Sequence, residues 1–289
     1  MLCGSLQKHK HLAYMQKHIS KLKQLAYTLS PFIHKMFLLL HSARILRFVF
    51  TPEIRDPSTN LAIERAILEA VSRGKSKDTF RLWINTRCLV VGLSRERQGL
   101  YGWYDADLAA KLGVKVYKRV TGGGAVYHDE GNLNWSFFIR RRSSAVPSIT
   151  ALFKEAGDII AESLRGLGLD AYFSPPNRIE CDGYKISGMA AYISRNAVLV
   201  HGTLLVSTNL DELNRLCIPP PNSPPVANIA DWLGDVTLND VAESIERTLR
   251  RLGFALRRSP LSPWEVRKAR ELCGSSWASR CSRHSDIIS

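Results

Sequence analysis

The chain has 289 residues, 45% of them hydrophobic, which is enough apolar side chain for one large domain or two small ones and excludes a disordered protein. Its formal net charge of +14 suggests nucleic acid until it is divided by region: residues 1–44 hold six Lys, one Arg and no acid, so +7 sits there and +7 in the rest. The apolar run MFLLL is far too short to span a bilayer, and six cysteines without a CxxC spacing read as reduced thiols rather than a disulfide framework.

In chain order, residues 1–44 read as a basic leader outside the folded domain. It carries His9, His11, His18, His34 and His41, whose spacing matches no compact metal site. Its acid-free composition is that of a mitochondrial transit peptide or of an upstream start that the cell does not use, with Met36 as the alternative start. The expected location is the cytoplasm, or the mitochondrion if the leader is genuine.

ILRFVFT from Ile45 is a strand, followed by an amphipathic helix with Asp56 as N-cap, Pro57 at its first position and Ala62, Ile63, Ala66, Ile67, Ala70 and Val71 on one face. TFRLWIN and CLVVGL are two further strands, and a helix near Asp105 to Leu112 leads into the strand VKVYK. After TGGGAVYHDEGN comes the alternating strand NLNWSFFI, then a long helix from Pro147. KISGMAAYIS and AVLVHGTLLVS form a hairpin about Arg195 and Asn196, with Lys185, Ser187, His201 and Thr203 as inward polar candidates. A proline-rich loop, IPPPNSPPVANI, precedes the helix LNDVAESIERTLRRLG, and a basic tail with a short helix near Pro263 to Cys273 closes the chain. The domains expected are a leader at 1–44, a catalytic domain at 45–255 and a short helical tail at 256–289. Without strict strand–helix alternation, the fold class is mixed α/β (α+β): a mainly antiparallel sheet flanked by helices, not a doubly wound one.

Gly122, Gly123 and Gly124 remove every β-carbon from the turn, so backbone N–H groups can face a ligand closely. A plain hairpin turn is the alternative. The strand before the loop delivers Lys118 and Arg119 to its mouth, a composition that suits a carboxylate or phosphate. The loop lacks the lysine of a nucleotide P-loop.

KRVTGGGAVYHDEGNLNWSF, together with DPSTNLAIERAIL, KISGMAAY and HGTLL in that order, resembles the lipoate–protein ligase A family over roughly residues 45–255. The resemblance implies a catalytic fold shared with biotin–protein ligases and, more distantly, class II aminoacyl-tRNA synthetases. It implies ATP-dependent activation of lipoate to lipoyl-AMP, then transfer to a lysine of an acceptor: a lipoyl domain of a 2-oxoacid dehydrogenase or the glycine cleavage H protein. Lys185 matches the family's catalytic lysine; read by itself it could be an exposed strand lysine. By the same matching, Arg119, Thr121, Gly122, Gly123, Gly124, Ala125, Val126, Tyr127, His128, Asp129, Asn132, Ser187 and Gly188 hold the adenylate. His201, Gly202 and Thr203 line or support the acyl pocket. Asp129 could instead cap a turn, and His128 could be a satisfied strand histidine. Mg²⁺ on the ATP phosphates is expected from the chemistry, with no protein ligand assigned.

The chain departs from the pattern at Lys118, where the family has an arginine, and at IPPPNSPPVANI, where it has a basic stretch. Nothing after residue 255 is long enough for the accessory C-terminal domain of many members, so a separate small subunit is a candidate partner. The rival reading is an octanoyltransferase that takes its acyl group from acyl carrier protein through a cysteine thioester, with Cys181 the cysteine near Lys185 in sequence. Readings from another class are a catalytically inactive lipoyl binder or a nucleic-acid-binding protein; neither a membrane nor nucleic acid is the expected partner.

Overall fold

The computed structural model describes residues 45–93, 104–142 and 148–274, so the expected leader at 1–44 lies outside the described residues. Eight strands form one sheet. They are β1 (Ile45–Thr51), β2 (Thr79–Ile84), β6 (Asn132–Arg140), β7 (Tyr172–Ser174), β8 (Arg178–Cys181), β9 (Tyr184–Ile193), β10 (Ala197–Leu205) and β11 (Ala255–Arg258), in the order β11-β1-β2-β6-β10-β9-β8-β7. β1 runs parallel to both its neighbours and every other pairing is antiparallel. Three further strands, β3 (Cys88–Gly92), β4 (Val116–Arg119) and β5 (Val126–His128), make a small sheet in the order β4-β3-β5. The mixed, mainly antiparallel sheet read from the sequence is the one present.

Alternation along the strands sorts the two faces. Leu133, Trp135 and Phe137 of β6 and Val198, Val200 and Leu204 of β10 join the larger core. They pack against helices α3 (Ile149–Arg165) and α6 (Leu238–Arg251) through Ile160, Leu164, Val241, Ile245 and Leu249. The other face carries Phe138 and Leu199 under α1 (Pro57–Ser72) and α7 (Pro263–Gly274), which meet through Ile63, Ile67, Ala269 and Leu272. That face also buries a polar row, Arg81, Asn132, Asn134, Ser136, His201 and Thr203, and such groups are tolerated inside only when hydrogen-bonded.

α1 starts where the sequence placed it. Asp56 accepts from Thr59 N at 2.8 Å and from the hydroxyls of Ser58 and Thr59 at 2.7 Å, an N-cap worth about 1 kcal/mol. Its neighbour Asn60 is fully buried and donates to the carbonyls of Ile54 (2.7 Å) and Ile84 (2.8 Å), fastening α1 to β2.

Residues past 255, read as a tail, are built into the same layers over 255–274: β11 extends the sheet beside β1, and α7 packs on α1. The link is the buried Glu265, which receives Arg47 through both of its terminal nitrogens (2.6 and 2.9 Å) and the hydroxyl of Ser76 at 2.8 Å. Cys88, Cys181 and Cys217 are free thiols, as expected. A short helix, α2 (Ala106–Lys111), precedes β4, while α4 (Leu210–Leu216) and α5 (Ala230–Leu233) follow β10.

Candidate active site

The glycine loop joins β4 to β5, and Arg119 at the end of β4 turns under it instead of pointing outward. Its side chain is buried, donating from Nε to Thr121 Oγ1 (2.9 Å), from Nη1 to Val90 O (2.9 Å) and from Nη2 to Gly122 O (2.8 Å) and Gly124 O (2.9 Å). Four acceptors of fixed geometry suit a planar guanidinium and would not suit an ammonium. Drawing two loop carbonyls down onto the cation leaves the loop's N–H groups to face the other way, the arrangement that receives an anion. Burial lowers the Arg119 pKa to about 10, with Glu64 acting in the opposite sense, so it stays a cation at neutral pH.

Two glycines let the loop lie this close. Gly123 has φ +96°, a left-handed backbone, and a β-carbon there would stand 2.9 Å from Arg119 Nη2. At Gly92 in β3 a β-carbon would stand 2.5 Å from Gly123 O and 2.6 Å from Gly122 C.

Thr121 passes the network to the large sheet. Its hydroxyl lies 2.8 Å from His201 Nε2, and His201 Nδ1 lies 2.8 Å from Glu64 Oε1 on α1. The same carboxylate oxygen accepts from Ser136 Oγ at 2.7 Å, and Ser136 accepts from Trp83 Nε1 at 3.2 Å. Burial by itself would raise the Glu64 pKa; His201, Ser136 and Arg81 outweigh it and hold the carboxyl below the usual range, so Glu64 is an anion. Arg81 beside it is fully buried, donating to Thr51 Oγ1 and Asn60 O at 3.0 Å, and desolvation lowers its pKa to about 9.

His128 is a satisfied interior histidine. Burial first, then Arg119 and His201, push its pKa down to about 3, and Nδ1 lies 3.0 Å from Asn85 Nδ2, which can only donate. It is therefore neutral with its proton on Nε2. Asp129 accepts from Gly131 N (3.0 Å) and Asn209 N (2.7 Å), closing the turn after β5 and tying it to α4. Tyr127 donates to Glu212 Oε2 at 2.6 Å, a second tie between β5 and α4. Val126 pairs with Val90, and Ala125 is half-buried in the loop. Asn132 and Thr203 are buried on adjacent strands; Asn132 Nδ2 reaches Asn134 Oδ1 at 3.3 Å. A β-carbon on Gly202 would stand 2.6 Å from Trp135 Cζ2 and 2.7 Å from Gly188 O, so glycine is what lets β6, β9 and β10 meet there.

Lys185 opens β9. Its N–H donates to Pro225 O at 2.8 Å and its C=O accepts from Ala227 N at 3.2 Å, so the proline-rich loop grips the lysine's backbone. The side chain folds over Gly188, where a β-carbon would stand 3.2 Å from Nζ. Among the described residues its ammonium has no hydrogen-bond partner, and desolvation, then Arg178, lowers its pKa. Ser187 is buried, and its hydroxyl has no partner among the described residues.

Cys181 does not face this lysine: it is buried in the larger core, donates to Asp182 Oδ2 at 3.9 Å, and its pKa is raised to about 11 by burial and Asp182. Cys217, the residue after α4, is the cysteine within electrostatic reach of Lys185, and its sulfur accepts the backbone N–H of Tyr127. Burial still raises its pKa to about 11, so the thiol form dominates at neutral pH. Sequence reasoning passed over Glu64, Ser136 and Cys217. The one available signal was Asn60 and Glu64, polar residues four apart where α1 meets the sheet.

No group of three or more His, Cys, Asp or Glu side chains that could hold a metal occurs among the described residues.

Residues 56–250 match the family described as the lipoyl protein ligase A/B catalytic domain. Lipoate–protein ligase A subunit 1 of Thermoplasma acidophilum is 31% identical over 234 residues, 74% of this chain and 86% of that protein. A T. acidophilum structure with bound lipoic acid has a TM-score of 0.68 at 29% identity, covering 80% of this chain and 95% of that one. A structure from a bi-partite ligase and its E2 lipoyl domain, from the same organism, has a TM-score of 0.68 at 27% identity, covering 82% and 96%. Lipoate–protein ligase A bound with ATP gives 0.70 at 27% identity, covering 85% and 99%. The chain spans only 47% to 59% of the length of three curated relatives it matches, from Mycoplasma pneumoniae, Aeropyrum pernix and Staphylococcus aureus.

Proposed function

The chain belongs to the lipoyl protein ligase A/B catalytic-domain family, and from that premise we propose that it is a lipoate–protein ligase. It joins lipoate to ATP as lipoyl-AMP and passes the lipoyl group to a lysine of a lipoyl domain. The observation that carries this reading is a pair of features: a loop whose carbonyls are drawn onto Arg119, and Lys185, whose ammonium has no hydrogen-bond partner among the described residues. Cys217 lies within electrostatic reach of the lysine and takes the N–H of Tyr127, in the strand that follows the loop.

The chemistry asks for that pairing. A lipoate carboxylate oxygen attacks the α-phosphorus and pyrophosphate leaves, so two anions must approach each other. Lys185, a point charge on a flexible stem, stands between them and remains on the acyl phosphate. The loop N–H groups hold the phosphate. The acceptor amine then attacks the acyl carbon, AMP departs and the amine's proton is lost to solvent. Mg²⁺ would arrive on the nucleotide phosphates and offset part of their charge. By likeness to the bi-partite T. acidophilum ligase, a second small subunit is a partner, together with the E2 lipoyl domain.

Cys217 favours one rival, thioester transfer from acyl carrier protein, because it neighbours Lys185. Its raised pKa weighs against it, since the nucleophile must be a thiolate. Lipoylation of a lipoyl domain from ATP and lipoate, with a cell extract added to supply a second subunit, separates the two. Lys185→Ala should abolish transfer while Cys217→Ala retains it. Octanoyl transfer from acyl carrier protein that is lost in Cys217→Ala would make the thioester reading correct instead.

A further inference from the structure

Glu64 lies in the helix segment DPSTNLAIERAIL, where it was assigned no part in the site; it is 1% exposed and is an anion inside the protein. A buried carboxylate costs several kcal/mol in desolvation, so an apolar side chain would serve α1 better if packing were all that this position did. What the carboxylate does instead is set the direction of two hydrogen bonds and so leave the Thr121 oxygen open to a third. Facing it at 2.8 Å, His201 Nδ1 must carry a proton; a bare lone pair there would oppose a carboxylate oxygen. In the neutral form of that imidazole Nε2 is an acceptor, and Thr121 at 2.8 Å then turns its hydroxyl proton toward it. The Thr121 oxygen is left to accept from Arg119 Nε at 2.9 Å. Arg119 in turn holds the carbonyls of Gly122 and Gly124.

We propose that Glu64 is a positioning residue for the adenylation step. Through His201 and Thr121 it orients Arg119, and through Arg119 it sets the face that the glycine loop presents to the nucleotide. The proposal rests on the ligase reading for its functional consequence. The orientation of the chain is a property of the protein by itself. Three segments far apart in sequence take part: α1, β10, and the end of β4 with the loop that follows it. Ser136, seated on the same Glu64 oxygen and itself receiving Trp83, keeps the carboxylate from rotating.

Two measurements test it. The first is the tautomer of His201 by ¹⁵N-edited NMR of the full chain, assigned by comparison with His201→Gln. The proton should reside on Nδ1 in the wild type, and Glu64→Ala should shift it toward Nε2. A wild-type Nε2–H form overturns the proposal. The second is KM for ATP in pyrophosphate exchange, alongside the thermal midpoint, for Glu64→Gln, Thr121→Val and the double variant. Each single change should raise KM about tenfold, and the double no further, because both cut one chain. Multiplying effects, near a hundredfold, overturn it, as does a Glu64→Gln protein with unchanged KM and a lowered midpoint, which is the mark of a structural role. Absence of exchange in the wild type would sink the ligase reading and leave the proposed orientation to be decided by the tautomer.

Discussion

Gly92→Ala perturbs the proposed nucleotide loop from a residue that lies in β3 behind it. The backbone at Gly92 is not left-handed, so alanine is conformationally acceptable and only space is at issue. Its β-carbon would stand 2.5 Å from Gly123 O and 2.6 Å from Gly122 C, and ordinary contact begins at 3.4 Å, so the loop must retreat by roughly 0.9 Å. The neighbouring atoms are backbone and cannot rotate aside. A retreat of that size stretches the Arg119 bonds to Gly122 O and Gly124 O, now 2.8 and 2.9 Å, beyond hydrogen-bonding distance. Overpacking of this kind costs about 1–3 kcal/mol of stability, whereas misplacing reacting groups by about 1 Å costs on the order of 10²-fold in rate. Pyrophosphate exchange should therefore fall by about that factor while the protein remains folded at assay temperature. Gly113→Ala is the control: it has nothing within 4 Å and only a φ of +66° to strain it, so it should lose a little stability and no activity. Exchange within twofold of wild type in Gly92→Ala would refute the clamped-loop argument.

Other consequences are as direct. His128 has a pKa of about 3 in the fold against 6.5 unfolded, so the unfolded chain binds the extra proton and stability falls as pH drops below 6.5. This one group should remove about 2 kcal/mol between pH 7 and pH 5, and urea titrations of His128→Gln should lack that increment; equal slopes in both proteins would count against a neutral buried His128. Glu265→Ala leaves Arg47 and Ser76 without their shared buried partner and should cost about 3–5 kcal/mol, lowering the thermal midpoint by on the order of 10 °C. The KM for ATP should not move, because this pair anchors α7 to the sheet; a changed KM at an unchanged midpoint would contradict that role.

Much of this architecture was legible in the sequence because it rests on local periodicity. α1, with Asp56 as its cap, and the β9–β10 hairpin are written in spacing and alternation. So are the alternating β6 and the long helices α3 and α6. The strands β7 and β8 were not, since three or four residues around adjacent prolines carry no readable period. Nor was α4, only seven residues long. The place of residues 255–274 was hidden for another reason: a basic composition reads as a solvated tail, and what recruits α7 is a Glu265–Arg47 contact 218 residues apart.

The site shows the same division. A motif tells which residues are near one another in sequence, so the glycine loop and Lys185 could be singled out at once. That Arg119 turns beneath the loop was not legible, because the reading set it with Lys118 as a cation at the loop's mouth where the fold supplies four internal acceptors. Glu64, Thr121 and His201 are 57 and 80 residues apart in succession, with 137 between the ends, and only folding brings them into line. Cys217 was overlooked in favour of Cys181 because Cys181 is four residues from Lys185. The Asp182–Gly183 turn, with φ +49° and +82°, sends Cys181 back into the core.

The central claim, that this chain makes an acyl-adenylate, is tested most directly by ATP–pyrophosphate exchange with lipoate, with octanoate and with no acid, in the presence of cell extract and then without it. The account predicts acid-dependent exchange that Lys185→Ala abolishes. Exchange absent under every condition, or unaffected by Lys185→Ala, would contradict it.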